Sequence, residues 1–406
     1  MQRIRSFLLV ILTLGLWITG CQAMGIFHRP VQAPPAPTAL PASGALEISP
    51  RTPVDTSSAS TELLTVPQGF QVSIFQSGLK GPRMMTLGPD GTLYVAERGA
   101  DRIIRLPDQN GDGYADQVQV AADGLNDPSS LAFYKDGSLY VGETTRILRL
   151  TDPEGDGSFQ DKETVISGLP AGGHSTRTVR FSPDGETLYV SIGSSCNICQ
   201  EEDRRRAAIM RYRPDGSGAE RYARGLRNAV GITFRPGTKE LWVTNNGRDW
   251  LGDNQPPETV YHVQKGDDAG WPRCHAARIV DPKFGKRGDC QGVLEPQLEM
   301  QAHAAPLGLA FYSGDRFPEE YRGDLFIALH GSWNRTTPTG YKVVRASFEN
   351  GKLGAPREFV SGWLRKDGSS WGRPVDVLSG PEGNLYISDD SGGTIYRVSY
   401  GEDNTD

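Results

Sequence analysis

Two short segments carry side chains that could take part in the oxidation of a hydroxyl group by a bound electron acceptor. His174 lies in the glycine-rich segment Gly172-Gly173-His174-Ser175, and an imidazole that titrates near neutrality can accept a hydroxyl proton while hydride leaves the same carbon. Arg227 and Asn228 lie in a second glycine-bounded segment, where an arginine fork could hold a planar carboxylate or an orthoquinone edge. For each residue alone, a structural histidine or a salt bridge is the competing interpretation.

Two other segments are rich in the oxygen ligands that calcium prefers. The turn Asn245-Asn246-Gly247-Arg248-Asp249 offers backbone carbonyls and carboxylates, and Glu258 follows it. The second segment matches the D-x-N-x-D-G opening of an EF-hand loop, but Gln119 occupies the twelfth position, which is normally acidic. It is therefore either a structural calcium loop or a polar turn. Its candidate ligands are Asp108, Asn110, Asp112 and Asp116.

A repeat along the chain predicts how these segments are brought together. Each copy has a strand-like segment, a tight turn that contains glycine, and a leucine-aromatic-aliphatic triplet, and a further short strand follows. Short strands that repeat every 40–50 residues or so are typical of propeller blades. Six copies predict an all-β, six-bladed β-propeller, with an insertion in the fourth blade. The triplets are Leu93-Tyr94-Val95, Leu139-Tyr140-Val141, Leu188-Tyr189-Val190, Leu241-Trp242-Val243, Leu325-Phe326-Ile327 and Leu385-Tyr386-Ile387.

Blade topology places two sets of residues at one mouth of the central channel. The residues before each inner strand and those after each triplet should meet there, because the first two strands of a blade run in opposite directions. The first set comprises Arg83, Pro128, His174, Arg227, Asn228, His303 and Arg373. The second comprises Glu97, Arg98, Glu143, Ser194, Asn246, Gly247, His330 and Asp389. Such a concentration of cations and imidazoles favours a small anionic ligand.

The amino terminus has the pattern of an export signal rather than of a folded domain. An apolar run from Phe7 to Ile18 follows two arginines, is short for a membrane span, and ends at Cys21 in a sequence that resembles a bacterial lipobox. We expect a signal peptide at 1–20, a lipid-anchored tether rich in Pro, Ala and Ser at 21–60, the propeller at 61–400 and a polar tail at 401–406. A plain signal peptide with a chance cysteine is the alternative.

These features predict a lipoprotein of the cell envelope that faces the periplasm, or an extracellular protein, with membrane contact through the lipid anchor alone. Gln22 after Cys21 favours the outer membrane. The net charge of −6 argues against a broadly basic surface, so we expect no nucleic-acid partner.

Four further cysteines fit two disulfides in an exported chain. Cys196 and Cys199 lie three apart, and Cys274 and Cys290 bracket the insertion of the fourth blade. A redox-active dithiol or a metal site is the alternative for these cysteines.

Four motifs make the chain resemble the soluble quinoprotein glucose/sorbosone dehydrogenases, which include aldose sugar dehydrogenases that use pyrroloquinoline quinone (PQQ). They are Gly173-His174-Ser175-x-x-Thr178, Gly225-x-Arg227-Asn228-x-x-Gly231, the Asn246-Gly247 turn that leads to Glu258, and Arg373-x-x-Asp376-Val377. The resemblance covers essentially the whole propeller. It implies that His174 is the general base and that Arg227 and Asn228 contact the quinone. It also implies that the carbonyls of Gly247 and Arg248 hold a catalytic Ca²⁺ and that Arg373 binds a cofactor carboxylate.

The chain departs from the best-known members of this family at three positions. Their lysine that touches the quinone is absent, and the matching segment begins Leu329-His330-Gly331, which looks more like the sorbosone or pyranose dehydrogenase branch. Arg248 replaces a proline and Val375 replaces a second arginine. Cofactor binding should therefore rest more on Arg83, His330 and Arg373.

The predicted function is oxidation of an aldose or a related sugar by hydride transfer to PQQ, with electrons passed to an external acceptor, a quinone or a cytochrome. One alternative is a calcium-dependent propeller hydrolase of the lactonase type, which would need several acidic side chains in the channel. The channel-side acids are Glu97, Glu143 and Asp389, and the mouth is otherwise cationic. The second alternative is a propeller that binds a partner without catalysis.

Overall fold

The computed structural model describes residues 64–401 of the 406-residue chain. The predicted signal peptide, the lipidation site Cys21, the tether and residues 402–406 lie outside this range. The described residues form an all-β fold, with helical structure confined to the 3₁₀ turns Arg98–Ala100 and Glu319–Tyr321. Within 64–401, no helix has the length and apolar character needed to span a membrane.

Six four-stranded antiparallel sheets form the blades, which confirms the predicted propeller. Strand β1 (Phe70–Gln76) precedes the first blade in the chain. Blade 1 contains β2 (Pro82–Leu87), β3 (Leu93–Glu97), β4 (Arg102–Leu106) and β5 (Gln119–Ala122). Blade 2 contains β6 (Ser130–Phe133), β7 (Leu139–Glu143), β8 (Arg146–Thr151) and β9 (Asp161–Ile166). Blade 3 contains β10 (Val179–Phe181), β11 (Leu188–Ile192), β12 (Ala208–Tyr212) and β13 (Glu220–Arg224).

The second half of the chain continues the pattern and adds two small hairpins. Blade 4 contains β14 (Ile232–Phe234), β15 (Leu241–Asn245), β16 (Glu258–Val263) and β19 (Leu298–Met300), with the hairpin β17 (Cys274–His275) and β18 (Ile279–Val280) inserted. Blade 5 contains β20 (Pro306–Phe311), β21 (Leu325–Leu329), β22 (Lys342–Ala346) and β25 (Arg357–Val360), with the hairpin β23 (Phe348–Glu349) and β24 (Lys352–Leu353). Blade 6 contains β26 (Pro374–Ser379), β27 (Leu385–Asp389) and β28 (Thr394–Tyr400).

The ring is closed by a strand from the start of the propeller. β1 pairs antiparallel with β28, with Phe70 opposite Tyr400 and Val72 opposite Val398, and so becomes the outermost strand of blade 6. The ring of Phe70 packs edge-on against Phe317 and Tyr400 at centroid distances of 4.8 and 4.9 Å. Closure therefore joins the two ends of the propeller by hydrogen bonds and by aromatic burial.

The repeated triplets build the core between the blades. All eighteen triplet side chains are buried, from Leu93-Tyr94-Val95 in blade 1 to Leu385-Tyr386-Ile387 in blade 6. Both faces of these second strands lie against neighbouring blades, which is why the triplets are apolar throughout instead of alternating with polar residues.

The insertion in blade 4 braces a turn at the mouth of the channel. Its disulfide joins Cys274 to Cys290, and a second disulfide joins Cys196 to Cys199, so both predicted pairs are confirmed. The insertion buries Asp281, whose Oδ2 accepts a hydrogen bond from Arg248 at 2.5 Å. Arg248 belongs to the predicted calcium turn, so the insertion fixes the position of that turn.

Candidate active site

Residues from neighbouring blades meet at one mouth of the channel, as the topology predicts. The backbone amide of His174 donates to the carbonyl of Ser194 at 3.0 Å, and the amide of Ser194 donates to the carbonyl of Arg227 at 2.8 Å. The amide of Asn246 donates to the carbonyl of Asn228 at 3.0 Å. The loops of blades 3 and 4 are thus joined edge to edge, and His174, Arg227 and Asn228 lie on the same face of the disc.

The imidazole of His174 is held in a single tautomer. Its Nδ1 lies 2.9 Å from the carbonyl oxygen of Ser194, and since a carbonyl can only accept, Nδ1 carries the proton. The hydroxyl of Ser194 donates to the carbonyl of Cys196 at 2.6 Å, which leaves its oxygen free to accept from the same Nδ1 at 3.1 Å. The other ring nitrogen, Nε2, accepts no hydrogen bond from residues 64–401. It is therefore the basic atom of the site.

Gly193 allows the base to lie against Asn228. A Cβ at this position would lie 2.5 Å from Asn228 Oδ1 and 2.6 Å from His174 Cβ, distances that atoms of a real side chain do not reach. The glycine therefore permits the close approach of the two functional side chains. No motif in the sequence marks Gly193, which directly follows β11 and precedes Ser194.

The environment of His174 keeps its imidazole neutral. Burial lowers its pKa, the nearby Arg227 guanidinium lowers it further, and together with Arg206 and Arg177 these effects bring the pKa to about 4. This pKa lies below the near-neutral value of an ordinary imidazole. Cations and a partly dry environment favour the form without charge, so Nε2 is available to accept a proton even in mildly acidic solution.

The guanidinium of Arg227 is largely committed to neighbours within the protein. Its Nε and one terminal nitrogen donate to the backbone and side-chain oxygens of Asn197 at 3.0 and 3.1 Å. The same terminal nitrogen lies 3.0 Å from the carboxylate of Asp249. The other, NH1, has a long contact of 3.4 Å with the carbonyl of Asn246. The competing salt bridge is thus formed, and NH1 has the weakest contact within the protein. The contact of Arg227 with a ligand stays a prediction.

Asn197 is a functional residue that the sequence analysis missed. Besides the two contacts to Arg227, its Oδ1 accepts from the amide of Asp249 at 2.8 Å and its Nδ2 donates to the carbonyl of Asp249 at 3.1 Å. It lies between the two bonded cysteines, so the disulfide of Cys196 and Cys199 fixes the loop from which it reaches Arg227. Its proximity could not be read from the sequence, since Asn197 and Asp249 are on different blades.

A second cluster lies on the other side of the mouth. Arg83 and His330 converge on Asp390, with distances of 2.7 Å from Arg83 NH1 to Oδ2 and 2.9 Å from His330 Nε2 to Oδ1. Burial alone would raise the pKa of Asp390, but the hydrogen bond from His330 and the charge of Arg83 lower it to about 2. Arg83 Nε is buried and has no hydrogen-bond partner, so the cluster keeps one unused donor.

Arg373 lies beside this cluster and has no acidic partner in the described part of the chain. Its guanidinium donates to the carbonyls of His330 and Gly331, each at 3.0 Å. Carbonyl contacts orient the side chain without cancelling its charge. The predicted cofactor cations Arg83, His330 and Arg373 are therefore brought together by the fold.

The two clusters are connected around the mouth. On one side, the carboxylate of Asp249 accepts from Asn334 Nδ2 at 2.8 Å, which joins the Arg227 region to the loop that begins at His330. On the other side, Arg98 donates to the hydroxyl of Ser175, next to His174, at 3.0 Å. Polar side-chain contacts thus link blades 4 and 5 on one side and blades 1 and 3 on the other.

The predicted calcium turn presents oxygen atoms of the kind that calcium prefers. The carbonyl oxygens of Gly247 and Arg248 accept no hydrogen bond from residues 64–401, whereas the Gly247 amide donates to Glu258 at 2.7 Å. Burial raises the pKa of Glu258 to about 7. Two carbonyls without a hydrogen-bond donor beside a buried carboxyl fit a hard cation with oxygen ligands.

The channel-side acids serve the backbone of the blades. In four blades the residue at the end of the second strand accepts from the backbone amide just before the inner strand. The pairs are Glu97 with Lys80 at 2.6 Å, Glu143 with Asn126 at 2.7 Å, Asn245 with Asn228 at 3.2 Å and Asp389 with Arg373 at 2.7 Å. This recurring contact positions the mouth residues and leaves these acids engaged.

The acidic loop of blade 1 is closed by its own side chains. Asp108 accepts from the amide of Gly113 at 3.0 Å, Asn110 from that of Asp112 at 3.1 Å, and Asp116 from that of Gln109 at 2.8 Å. Burial raises the pKa of Asp108. The loop is thus a polar turn closed by its own hydrogen bonds. Calcium binding by this loop stays a prediction.

A family model described as TrAA12-like matches residues 64–401, the whole of the described propeller. The chain belongs to the TrAA12-like family. This confirms the resemblance to PQQ-dependent sugar dehydrogenases, while the narrower assignment to a sorbosone branch stays a prediction.

Individual relatives of this TrAA12-like protein cover the same region. An uncharacterized protein of Borreliella burgdorferi is 30% identical over 348 residues, which is 84% of this chain and 92% of that protein. A pyrroloquinoline quinone-dependent pyranose dehydrogenase of Coprinopsis cinerea is 27% identical over 403 residues, which is 82% of this chain and 54% of the dehydrogenase. The chain thus spans about half the length of that enzyme.

A calcium structure of a carbohydrate-active enzyme of family AA12 from Trichoderma reesei superposes with a TM-score of 0.73. Its sequence identity is 22%, and the match covers 86% of this chain and 99% of that one. At this identity the superposition supports the fold.

Proposed function

We propose that this TrAA12-like protein is a PQQ-dependent sugar dehydrogenase that removes a hydride and a proton from a sugar hydroxyl carbon. The observation that carries the proposal is the imidazole of His174, held neutral with its Nε2 lone pair unengaged, in a mouth otherwise lined by arginines and histidines. The similarity to the pyrroloquinoline quinone-dependent pyranose dehydrogenase of Coprinopsis cinerea supports it.

The residues of the mouth fit both proposed cofactors. Arg373 and the unused Nε of Arg83 would hold the carboxylates of PQQ, a planar polyanion, next to His330. The carbonyls of Gly247 and Arg248 would hold Ca²⁺, and the calcium structure of the Trichoderma reesei enzyme supports this ion. When bound, the quinone supplies the hydride acceptor and the calcium ion supplies positive charge that polarises it.

His174 acts on the sugar as a general base. Its Nε2 accepts the hydroxyl proton while the Nδ1–H stays hydrogen-bonded to the Ser194 carbonyl, so the ring keeps its orientation as it becomes charged. Such a base typically contributes about 10²–10⁴ in rate. Asn228, which packs against His174 across Gly193, is placed to contact the sugar or the quinone.

The proposed function extends to the identity of the sugar, to the electron acceptor and to the location of the enzyme in the cell. We infer that the substrate is an aldose or a related pyranose and that the electrons leave to an external quinone or cytochrome. A lipid on Cys21 would hold the enzyme at the cell envelope. Mass spectrometry of the protein purified from a bacterial host tests this last point, since an unmodified Cys21 or a mature chain that lacks it would contradict the anchor.

The propeller hydrolase is less well supported by the geometry. Its metal would need free carboxylates in the channel, but Glu97, Glu143 and Asp389 each accept backbone amides at the mouth. A purely non-catalytic propeller would have no use for an imidazole whose tautomer is fixed and whose lone pair is left open.

Reconstitution tests the proposed function directly. The protein is loaded with PQQ and Ca²⁺, sugars are screened with an artificial electron acceptor, and the quinone chromophore is followed by absorbance. We expect sugar to bleach or shift the chromophore, and His174→Ala to lower turnover by at least about 100-fold while quinone affinity changes little. His262→Ala is the matched control, since this imidazole stacks on Trp242 in blade 4. No sugar-dependent change, or loss of quinone binding with turnover preserved, would refute the proposal.

A further inference from the structure

Two tryptophans stand out on the surface of the propeller. Trp250 and Trp333 are 66% and 67% exposed, whereas the other exposed large hydrophobic side chains of the described chain, Tyr114, Val120 and Val280, are each less than half exposed. The two indoles touch, with ring centroids 5.3 Å apart and planes at 84°. Exposing two large aromatic side chains to water is unfavourable, so a use for them is expected.

Their position places the pair at the rim of the active site. Trp250 follows Asp249, the partner of Arg227, and Trp333 precedes Asn334, which donates to the same Asp249 carboxylate at 2.8 Å. The tryptophans therefore flank the hydrogen bond that links blades 4 and 5 at the mouth. They lie nearer to solvent than Arg227, which is buried.

The two loops that carry the tryptophans are fastened to each other. His303 Nε2 lies 2.8 Å from the carbonyl of Gly252, and the amide of Thr336 donates to the carboxylate of Asp253 at 3.2 Å. Arg335 donates to the carbonyl of Asp253 as well. These links hold the aromatic pair in place before any ligand arrives, which lowers the entropic cost of binding.

The backbone of Trp250 supports a functional interpretation. Its φ is +69°, a left-handed conformation that is unfavourable for a bulky side chain. Strain of this kind persists where surrounding contacts impose it, and it is concentrated at binding sites. In Trp250 the unusual φ accompanies a side chain directed into solvent instead of into a core.

We propose that Trp250 and Trp333 form a stacking platform for a pyranose ring of an oligosaccharide substrate, the ring adjacent to the one oxidised at His174. An edge-to-face pair presents one flat aromatic face and one wall, which suits the apolar C–H face of a sugar ring. Because the platform is exposed and His174 lies deeper, the ring on the tryptophans is the outer one. This inference rests on the proposed function, since it takes a sugar as the substrate.

The pair is too small to be the docking surface for an electron-accepting protein. A stable protein interface buries about 800 Å² on each partner, and two indoles supply only part of that area. The two tryptophan loops are held in place by hydrogen bonds, and the indole pair presents one flat face. Both features favour a small ring as the ligand. A protein partner is nevertheless a distinct outcome of the test below.

Binding without turnover gives the first readout. Cofactor-free protein is titrated with glucose, maltotriose and cellotriose in an isothermal titration calorimeter. We expect at least one trisaccharide to bind at lower concentration than glucose does, and Trp250→Ala and Trp333→Ala to weaken that binding on the order of tenfold. Tyr114→Ala, an exposed aromatic residue in blade 1, should bind like the wild type. No trisaccharide binding, or equal binding by all variants, would overturn the platform.

Kinetics of the loaded enzyme gives the second readout. The alanine variants should raise KM for the trisaccharide by about tenfold, and Trp250→Phe and Trp333→Phe should restore most of the loss. If the variants slow reoxidation by the acceptor and leave trisaccharide KM and binding unchanged, the pair is a docking surface and the inference is wrong. If the wild type oxidises no sugar yet binds trisaccharides through the tryptophans, the proposed function fails while the platform stands.

Discussion

The titration of His174 can be predicted in some depth, because the structure fixes both its tautomer and its surroundings. Burial, the charge of Arg227 and the charges of Arg206 and Arg177 bring its pKa to about 4, against 6.5 for a free imidazole. At pH 5.5 a group with pKa 4 is about 97% neutral, whereas one with pKa 6.5 is about 9% neutral. The base should therefore be fully available at pH 5.5.

Nuclear magnetic resonance of the cofactor-free protein measures this pKa directly. The chain has six histidines, and His174→Gln identifies the resonances of His174 in a spectrum that correlates ring protons with ring nitrogens. We expect a midpoint near pH 4 and, above it, chemical shifts of a ring protonated at Nδ1. Loading an anionic cofactor should raise the midpoint, since negative charge stabilises the imidazolium. A midpoint near 6.5 in the cofactor-free protein, or a proton on Nε2, would refute the geometry given for the base.

The same shift has a consequence for stability. The folded-state pKa lies below the unfolded value, so between pH 6.5 and pH 4 the unfolded chain binds the proton and the folded protein does not. Stability from this group is therefore fully present above pH 6.5 and declines as the pH falls toward 4, by about 3 kcal/mol in all. His174→Gln should lose less stability than the wild type over this interval in urea unfolding. Parallel pH curves for the two proteins would contradict the shift.

Three further changes have clear expected outcomes. Arg227→Lys should weaken PQQ binding and lower the thermal midpoint, because an ammonium group cannot make the forked contacts of the guanidinium; unchanged affinity in a quinone titration would limit the residue to a structural role. Gly193→Ala should lower kcat/KM by roughly tenfold or more, since its methyl carbon would displace Asn228, with the folded state checked by calorimetry. Replacing Cys274 and Cys290 by serine should cost roughly 3 kcal/mol, as expected for a loop of this length, whereas an unchanged urea midpoint would show that the insertion is held by packing alone.

The parts of the fold that could be predicted from the sequence are those with a local, repeated pattern. The triplets gave the six blades, and blade topology gave the mouth at which His174, Arg227 and Arg373 meet. The closing strand β1 was not predicted, because it occurs once, lies before the first triplet, and pairs with β28 at the other end of the propeller. A single strand whose partner is distant in sequence leaves no periodic signal.

The roles of individual side chains were less predictable than their location. The guanidinium of an arginine such as Arg227 can bind a ligand or another side chain of the same protein. Which of these it does depends on Asn197 and Asp249, which come from different blades. The pKa of His174 likewise depends on burial and on arginines that are remote in sequence. These properties arise from convergence of loops, so motif spacing alone could not supply them.

The pattern of ion pairs indicates which cation should matter most for an anionic cofactor. Asp390 is shared by Arg83 and His330, and Asp249 lies against Arg227, so these charges are already partly neutralised by the protein. Arg373 is different, because within the described chain its guanidinium is oriented by two carbonyls and paired with no acid. An incoming carboxylate therefore gains the full charge of Arg373 but must compete with an aspartate at each of the other two arginines. We therefore expect the predicted trio of cofactor cations to be unequal, with Arg373 as the principal anchor and the Asp390 cluster as the frame that positions it through His330.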